Sequence, residues 1–252
     1  MTKASVFLMM VLIASLVADL AESEFRQAPP RFCNVLGYAP GLSTREKAPV
    51  TTSIPKGTYF LGGSGMEGQY IADMVETLKA TGIHSAQSVD RKIWSRGPGL
   101  DALSAICKRH PLGETAMAME EFAGENPQFN LIGYSHGGLV AAQIARDYAS
   151  RQGRIDHLVL IASPISTDFL TELQQMPQIG QVILVTLQDE DDPIFAGMGF
   201  TNLLGSLPKL TLQFLSGPFG SKSGHFYLTD PNSTGRKARR LLAEKLYDAG
   251  LR

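Results

Sequence analysis

Cysteine is nearly absent: in 252 residues there are two, Cys33 and Cys107. Two cysteines cannot scaffold a disulfide-built fold, and neither has the spacing or the His partners of a zinc site. In an oxidising compartment they could join, closing a long loop for at most about 4 kcal/mol on the chain-entropy model. Equally, they could be two separate buried thiols. An excess of one charge is lacking too: 23 Lys plus Arg against 24 Asp plus Glu leave a net charge of −1. Nothing in that balance suggests a nucleic-acid partner, which would want a basic surface. The cluster Arg236, Lys237, Arg239, Arg240 is most simply the solvated face of a helix. No repeat at solenoid spacing and no low-complexity tract is present.

Long apolar runs are also scarce, with one exception at the N-terminus. Lys3 is followed by an apolar block from Val6 to Ala18, interrupted only by Ser15, short for a membrane span and about right for a signal-peptide core. Neither Ala18 nor Ala21 has a small residue two places before it, so the cleavage site is poor. Residues 1–21 therefore read as a signal peptide, an uncleaved anchor or a helix buried in the fold, with export favoured. Residues 22–55 carry Ala28-Pro29-Pro30, Pro40-Gly41 and Ala48-Pro49 with little periodicity, and read as a linker and irregular edge. The domain proper spans 56–252, a length that suits a sizeable single core.

Within that domain, strand and helix patterns alternate. Gly57–Leu61 reads as a strand, residues 69–80 as a helix with Ile71, Met74, Val75 and Leu78 at helical spacing, and Ile83–Val89 as a second strand. Helical stretches follow at 100–108 and 114–123. Apolar strands are expected at Phe129–Tyr134, His157–Ala162, Val182–Leu187 and Leu210–Leu215, with helices near 168–175 and 236–249 between and after them. The expected fold is α/β: a doubly wound, mostly parallel sheet of about six strands with helices on both faces.

One stretch organises the rest. Phe129–Tyr134 passes without a loop into the helix-forming run after Ser135, and the turn between them is Gly133-Tyr134-Ser135-His136-Gly137, a G-x-S-x-G sequence. Such a handover strains the middle residue and requires small neighbours two places either side, which are Gly here. It would lift the Ser135 hydroxyl above the sheet at a helix N-terminus, where peptide dipoles favour negative charge.

A serine hydroxyl needs a base, and the base needs a carboxylate to orient it. Ligands of parallel sheets gather at the C-terminal strand ends, and that edge filters the five histidines. His84 and His157 sit at strand starts, His136 is too close to Ser135 along the chain to face it, and His110 precedes Pro111 in an interhelical turn. His225 remains, after the Gly-rich stretch from Ser216 to Gly224. On the same edge, Asp189, Glu190, Asp191 and Asp192 follow the Val182–Leu187 strand. At least three of them must be a solvated acidic turn.

The order Ser…Asp…His, the strand–Gly-Tyr-Ser-His-Gly-Gly–helix unit, the acid before Pro193-Ile194 and the late Gly224-His225 together resemble the α/β-hydrolase superfamily, from about Thr58 to the C-terminus. In that family the acid commonly precedes such a Pro-Ile pair, which implies Asp192, with Asp189 in reserve. The resemblance also implies an oxyanion hole made by the backbone N–H of His136 and one from the loop after the first core strand, here Gly62-Gly63-Ser64. That loop lacks the family's usual His, and Ser64 is carried over. Many members insert a long cap after the strand corresponding to His157–Ala162. None is present, so an open site is expected, with residues 194–207 as an apolar flap (Ile194, Phe195, Met198, Phe200, Leu203, Leu204).

What the resemblance implies is a serine ester hydrolase of lipase or esterase type: Ser135 as nucleophile, His225 as base, Asp192 as its partner, with no metal or organic cofactor. The substrate class would be a small-molecule or lipid ester. Two rivals stand beside it. Gly63, Gly65 and Gly68 also spell G-x-G-x-x-G between a strand and a helix, and Asp90 ends the next strand in the ribose position of a dinucleotide-binding oxidoreductase. No Tyr-x-x-x-Lys pair lies near Tyr134. The other rival is a hydrolase-like fold kept for binding, with a dead site.

Overall fold

The computed structural model describes Arg31, Cys33 and residues 56–64, 68–112, 127–216 and 224–252. The leader or anchor at 1–21, nearly all of the linker at 22–55, Gly65, the helix expected at 114–123 and most of the Gly-rich stretch before His225 lie outside the described residues.

The elements are β1 (Gly57–Leu61), α1 (Gln69–Ala80), β2 (Ala86–Ser88), α2 (Arg91–Trp94), α3 (Pro98–Lys108), β3 (Phe129–Tyr134), α4 (His136–Ser150), β4 (Ile155–Ile161), α5 (Thr167–Gln175), β5 (Ile179–Val185), α6 (Phe200–Ser216) and α7 (Ser233–Asp248). Two 3-10 turns, Gln188–Glu190 and Gly224–Thr229, complete the described chain. The five strands form one sheet in the order β2-β1-β3-β4-β5, and every neighbouring pair is parallel.

Side chains alternate across that sheet because successive strand residues face opposite ways. Phe129, Leu131, Leu158 and Leu160 enter one core with α4 and α5. Ile132, Tyr134, Val159 and Ile161 enter a second core with α1 and α7. Apolar residues on both faces of one strand produce the continuous runs seen in the sequence, and helices cover both sides. Ends are set locally. Asp90 caps α2 by accepting from Lys92 N–H at 2.9 Å, Ser166 caps α5, and Asn232 accepts from the N–H groups of Thr234 and Gly235.

Three expectations change and one open question closes. The last strand, expected at Leu210–Leu215, is instead the second half of α6, so the described sheet has five strands rather than six. As a helix, the segment turns Leu203 and Leu210 toward Ile106 and Ile194 in a satellite core, which a strand of the same sequence could not do. The apolar flap is for the same reason largely interior: Ile194, Met198, Phe200 and Leu203 are buried. Among the described side chains of α6, Leu204, Leu207 and Leu212 face outward. Arg239 is not on a solvated face. It is fully buried, donating to the carbonyls of Leu228 and Asp230 at 2.7 and 2.9 Å and pairing with Asp73 at 3.1 Å. The two cysteines, left open by the sequence, form a disulfide that ties Cys33 to the end of α3.

Candidate functional site

Ser135 stands between β3 and α4 with φ 54° and ψ −122°, a backbone conformation that a residue with a Cβ rarely adopts. The glycines around it leave no room for anything larger. A Cβ on Gly133 would lie 2.4 Å from Gly138 Cα, and one on Gly137 would lie 2.3 Å from the carbonyl oxygen of Gly62. The elbow is thus pressed between its own helix and the loop that follows β1.

Asp192 arrives from β5. The 3-10 turn at Gln188–Glu190 ends on Asp191, whose φ of 70° reverses the chain. The reversal leaves Asp189, Glu190 and Asp191 exposed and turns Asp192 inward, 3% exposed. Its Oδ1 accepts from Ile194 N–H at 2.8 Å, which gives the Pro193-Ile194 pair a physical role: it holds the carboxylate's orientation. His225 opens the 3-10 turn at Gly224–Thr229 and is 5% exposed.

The three side chains meet. His225 Nδ1 lies 2.9 Å from Asp192 Oδ2 and 3.1 Å from Oδ1, while His225 Nε2 lies 2.7 Å from Ser135 Oγ. An ionised carboxylate only accepts, so Nδ1 carries the proton and Nε2 is free to accept from the hydroxyl. Ser135 and Asp192 both follow the C-terminal ends of strands, the edge on which such sheets hold ligands.

Residues 123–186, from just before β3 to just past β5, match the family model of the alpha/beta hydrolase fold. The described chain is an α/β fold with one five-stranded, all-parallel sheet flanked by helices, consistent with the alpha/beta hydrolase fold. No curated protein and no solved structure matches it. Between β4 and α5 no cap is inserted: only residues 162–166 connect them. The strand order counts against the dinucleotide reading. In a Rossmann sheet the third strand lies beyond the second, whereas β3 here pairs directly with β1. The Gly62 carbonyl is covered by Gly137, and the Asp90 carboxylate is engaged as a helix cap.

The other histidines lie away from Ser135 or turn from it. His84 is exposed before β2. His157 meets Asn130 Oδ1 at 2.7 Å, three residues into β4 and away from its C-terminal end. His110 is buried at the end of α3, where burial and then the Arg109 charge push its pKa down to about 4. The His136 ring turns toward α3: its Nε2 is 3.1 Å from Ser104 Oγ and 3.3 Å from Lys108 Nζ, and Trp94 lies against it. Burial, then the Lys108 charge, lower its pKa to about 3, so the ring is neutral. The backbone of His136 opens α4 beside Ser135, and Ser64 lies in the turn after β1, partly buried. The neighbouring Gly63 N–H donates to the Tyr70 hydroxyl at 2.9 Å, and burial raises the pKa of that phenol to about 12.

Two residues at the site were not singled out by sequence. The Tyr134 hydroxyl donates to the carbonyl of His225, and its ring stacks on the imidazole at 5.6 Å between centroids. Gln213 Oε1 accepts from His225 N–H at 3.1 Å, while Gln213 Nε2 donates to the carbonyl of Asp191 at 2.9 Å. Tyr134 stood inside the motif and read as strand filler. Gln213 had no signal, since it fell in a segment expected to be a strand.

Proposed function

We propose that the protein is a serine hydrolase that cleaves a carboxylic ester. The observation that carries this reading is the unbroken chain from Ser135 Oγ through the His225 ring to the Asp192 carboxylate, at 2.7 and 2.9 Å. In the proposed reaction His225 takes the Ser135 proton as Oγ attacks the ester carbonyl. Asp192 orients the ring and stabilises its charge. The oxyanion is held by the N–H of His136 and by one from the loop at Ser64; each such donor is typically worth roughly a hundredfold or more in rate. His225 then protonates the leaving alcohol, and a water deprotonated by the same ring releases the acid from Ser135. Side chains, backbone N–H groups and water carry every step of the proposed reaction.

The substrate class we infer is a small-molecule or lipid ester. A thioester or amide would engage the same atoms. For the chain's location we propose export, to a periplasm or outside the cell, or tethering by an uncleaved N-terminal segment. The apolar block from Val6 to Ala18 and the Cys33–Cys107 bond, which would persist in an oxidising compartment, support that reading. Among the described residues no helix is long and apolar enough to cross a membrane.

A fluorophosphonate probe tests the reaction. The wild-type protein should label and Ser135→Ala should not. An unlabelled wild-type protein would leave a binding module on a hydrolase scaffold. A panel of nitrophenyl esters of increasing acyl length then reads the substrate class.

A further inference from the structure

In α6, Ser206, Lys209 and Gln213 recur at helical spacing and all reach the segment that carries Asp192. Ser206 Oγ donates to the Pro193 carbonyl at 3.3 Å, and Lys209 Nζ lies 2.5 Å from Asp191 Oδ1. Gln213, one turn on, bonds the Asp191 carbonyl and the His225 N–H with the two ends of one amide. The loops bearing Asp192 and His225 are 33 positions apart along the chain. Gln213 is 9% exposed, so both of its bonds form largely out of water, where hydrogen bonds are stiffer and dearer to break. Lys209 and Asp191 are far more open, and an exposed ion pair holds geometry weakly. Gly224 fits the same picture. Its φ is 55°, and a Cβ there would lie 2.0 Å from Gln213 Nε2, so glycine at 224 lets the amide close on the backbone of His225.

We propose that Gln213 is a positioning residue: its amide fixes the separation of the Asp192 and His225 loops, and so the alignment of the His225 ring on Ser135. This rests on the reading of Ser135, His225 and Asp192 given above. Gln213 acts through backbone groups and touches neither substrate nor the reacting atoms. In this chain the support comes from a helix packed across both loops.

The test replaces the amide with side chains of similar length that cannot hydrogen-bond, Gln213→Met and Gln213→Leu, in the full chain. Misplacing a reacting group by about 1 Å costs on the order of a hundredfold. Either variant should lower kcat for a nitrophenyl ester by roughly ten- to a hundredfold while KM stays within about twofold. In an Asp192→Asn background the same change should cost little more, because the alignment it serves is already lost. A kcat within about twofold of wild type overturns the proposal, as does an equal fold loss in both backgrounds. Proton NMR supplies a readout independent of activity. The His225 Nδ1–H bonded to Asp192 should give a low-field signal in the wild type that broadens or vanishes in Gln213→Met. Its persistence overturns the proposal. If the wild type fails to label with fluorophosphonate, the hydrolase reading falls, yet the NMR comparison still judges the role of Gln213 in the geometry.

Discussion

The hydroxyl of Tyr134 donates to the carbonyl of His225, so the residue preceding Ser135 also holds the backbone of the imidazole that faces it. Tyr134 is fully buried, and its phenol pKa is raised well above the usual value, by burial first and then by Tyr70 and Asp192. It therefore stays protonated and donating. Tyr134→Phe should cost about 1–3 kcal/mol in urea unfolding, since the buried His225 carbonyl loses a partner. Ester turnover should fall with little change in KM.

The four acids after β5 separate by burial. Asp192→Asn should lower ester turnover by roughly a thousandfold or more, because the ring loses the acceptor that sets its tautomer. Asp189→Asn and Asp191→Asn should each leave it within about twofold, as both carboxylates face solvent. Steady-state kinetics on the three variants decides this.

Two glycines should respond in opposite ways to alanine. At Gly137 the added Cβ meets main-chain atoms of Leu61 and Gly62, which cannot swing aside. Gly137→Ala should destabilise by at least about 3 kcal/mol. At Gly205, exposed in α6, a Cβ meets nothing within 4 Å. Gly205→Ala should stabilise by about 0.5–1 kcal/mol through helix propensity alone. Thermal unfolding of the pair reads both.

Stability should fall in mild acid. His110 is 4% exposed, and its pKa drops from 6.5 to about 4 on folding, so between those values the unfolded chain holds more protons than the native one. The His110 contribution therefore rises with pH across that window: it is complete above about 6.5 and lost as pH falls toward about 4, on the order of 3 kcal/mol from this residue. His136, whose pKa is lowered to about 3, adds a slope of the same sign. Urea midpoints measured from pH 7.5 to 4.5 should show this slope, and His110→Phe should flatten it by the share of one proton.

Breaking the bond between Cys33 and Cys107, 74 positions apart, should lower stability by at most about 4 kcal/mol. Denaturation with and without reductant measures the loss, and Cys33→Ser should reproduce the reduced value.

Much of this was legible because the relevant constraints are local. Gly133, Ser135 and Gly137 announce the elbow through steric need, and the structure shows that need atom by atom. The two-faced apolar strands announce a covered parallel sheet. The segment Leu210–Leu215 misled for a physical reason: apolar and polar residues alternate there as in a strand. What decides its conformation is the distant pocket made by Ile106 and Ile194, which accepts Leu203 and Leu210 on one side of a helix and leaves Leu212 exposed. Arg239 is a similar case. Beside three other basic residues it looked like one more surface charge, and its burial is explained by the carbonyls of Leu228 and Asp230 and the Asp73 carboxylate.

The backbone at Ser135 is a place where glycine would be at ease and every other residue is not. Ser135→Gly should accordingly melt higher than the parent, by relief of a strain of about 1–3 kcal/mol. Thermal selection alone would erase the hydroxyl, so a library screened only for heat resistance would collect glycine at position 135 and discard the proposed nucleophile with it.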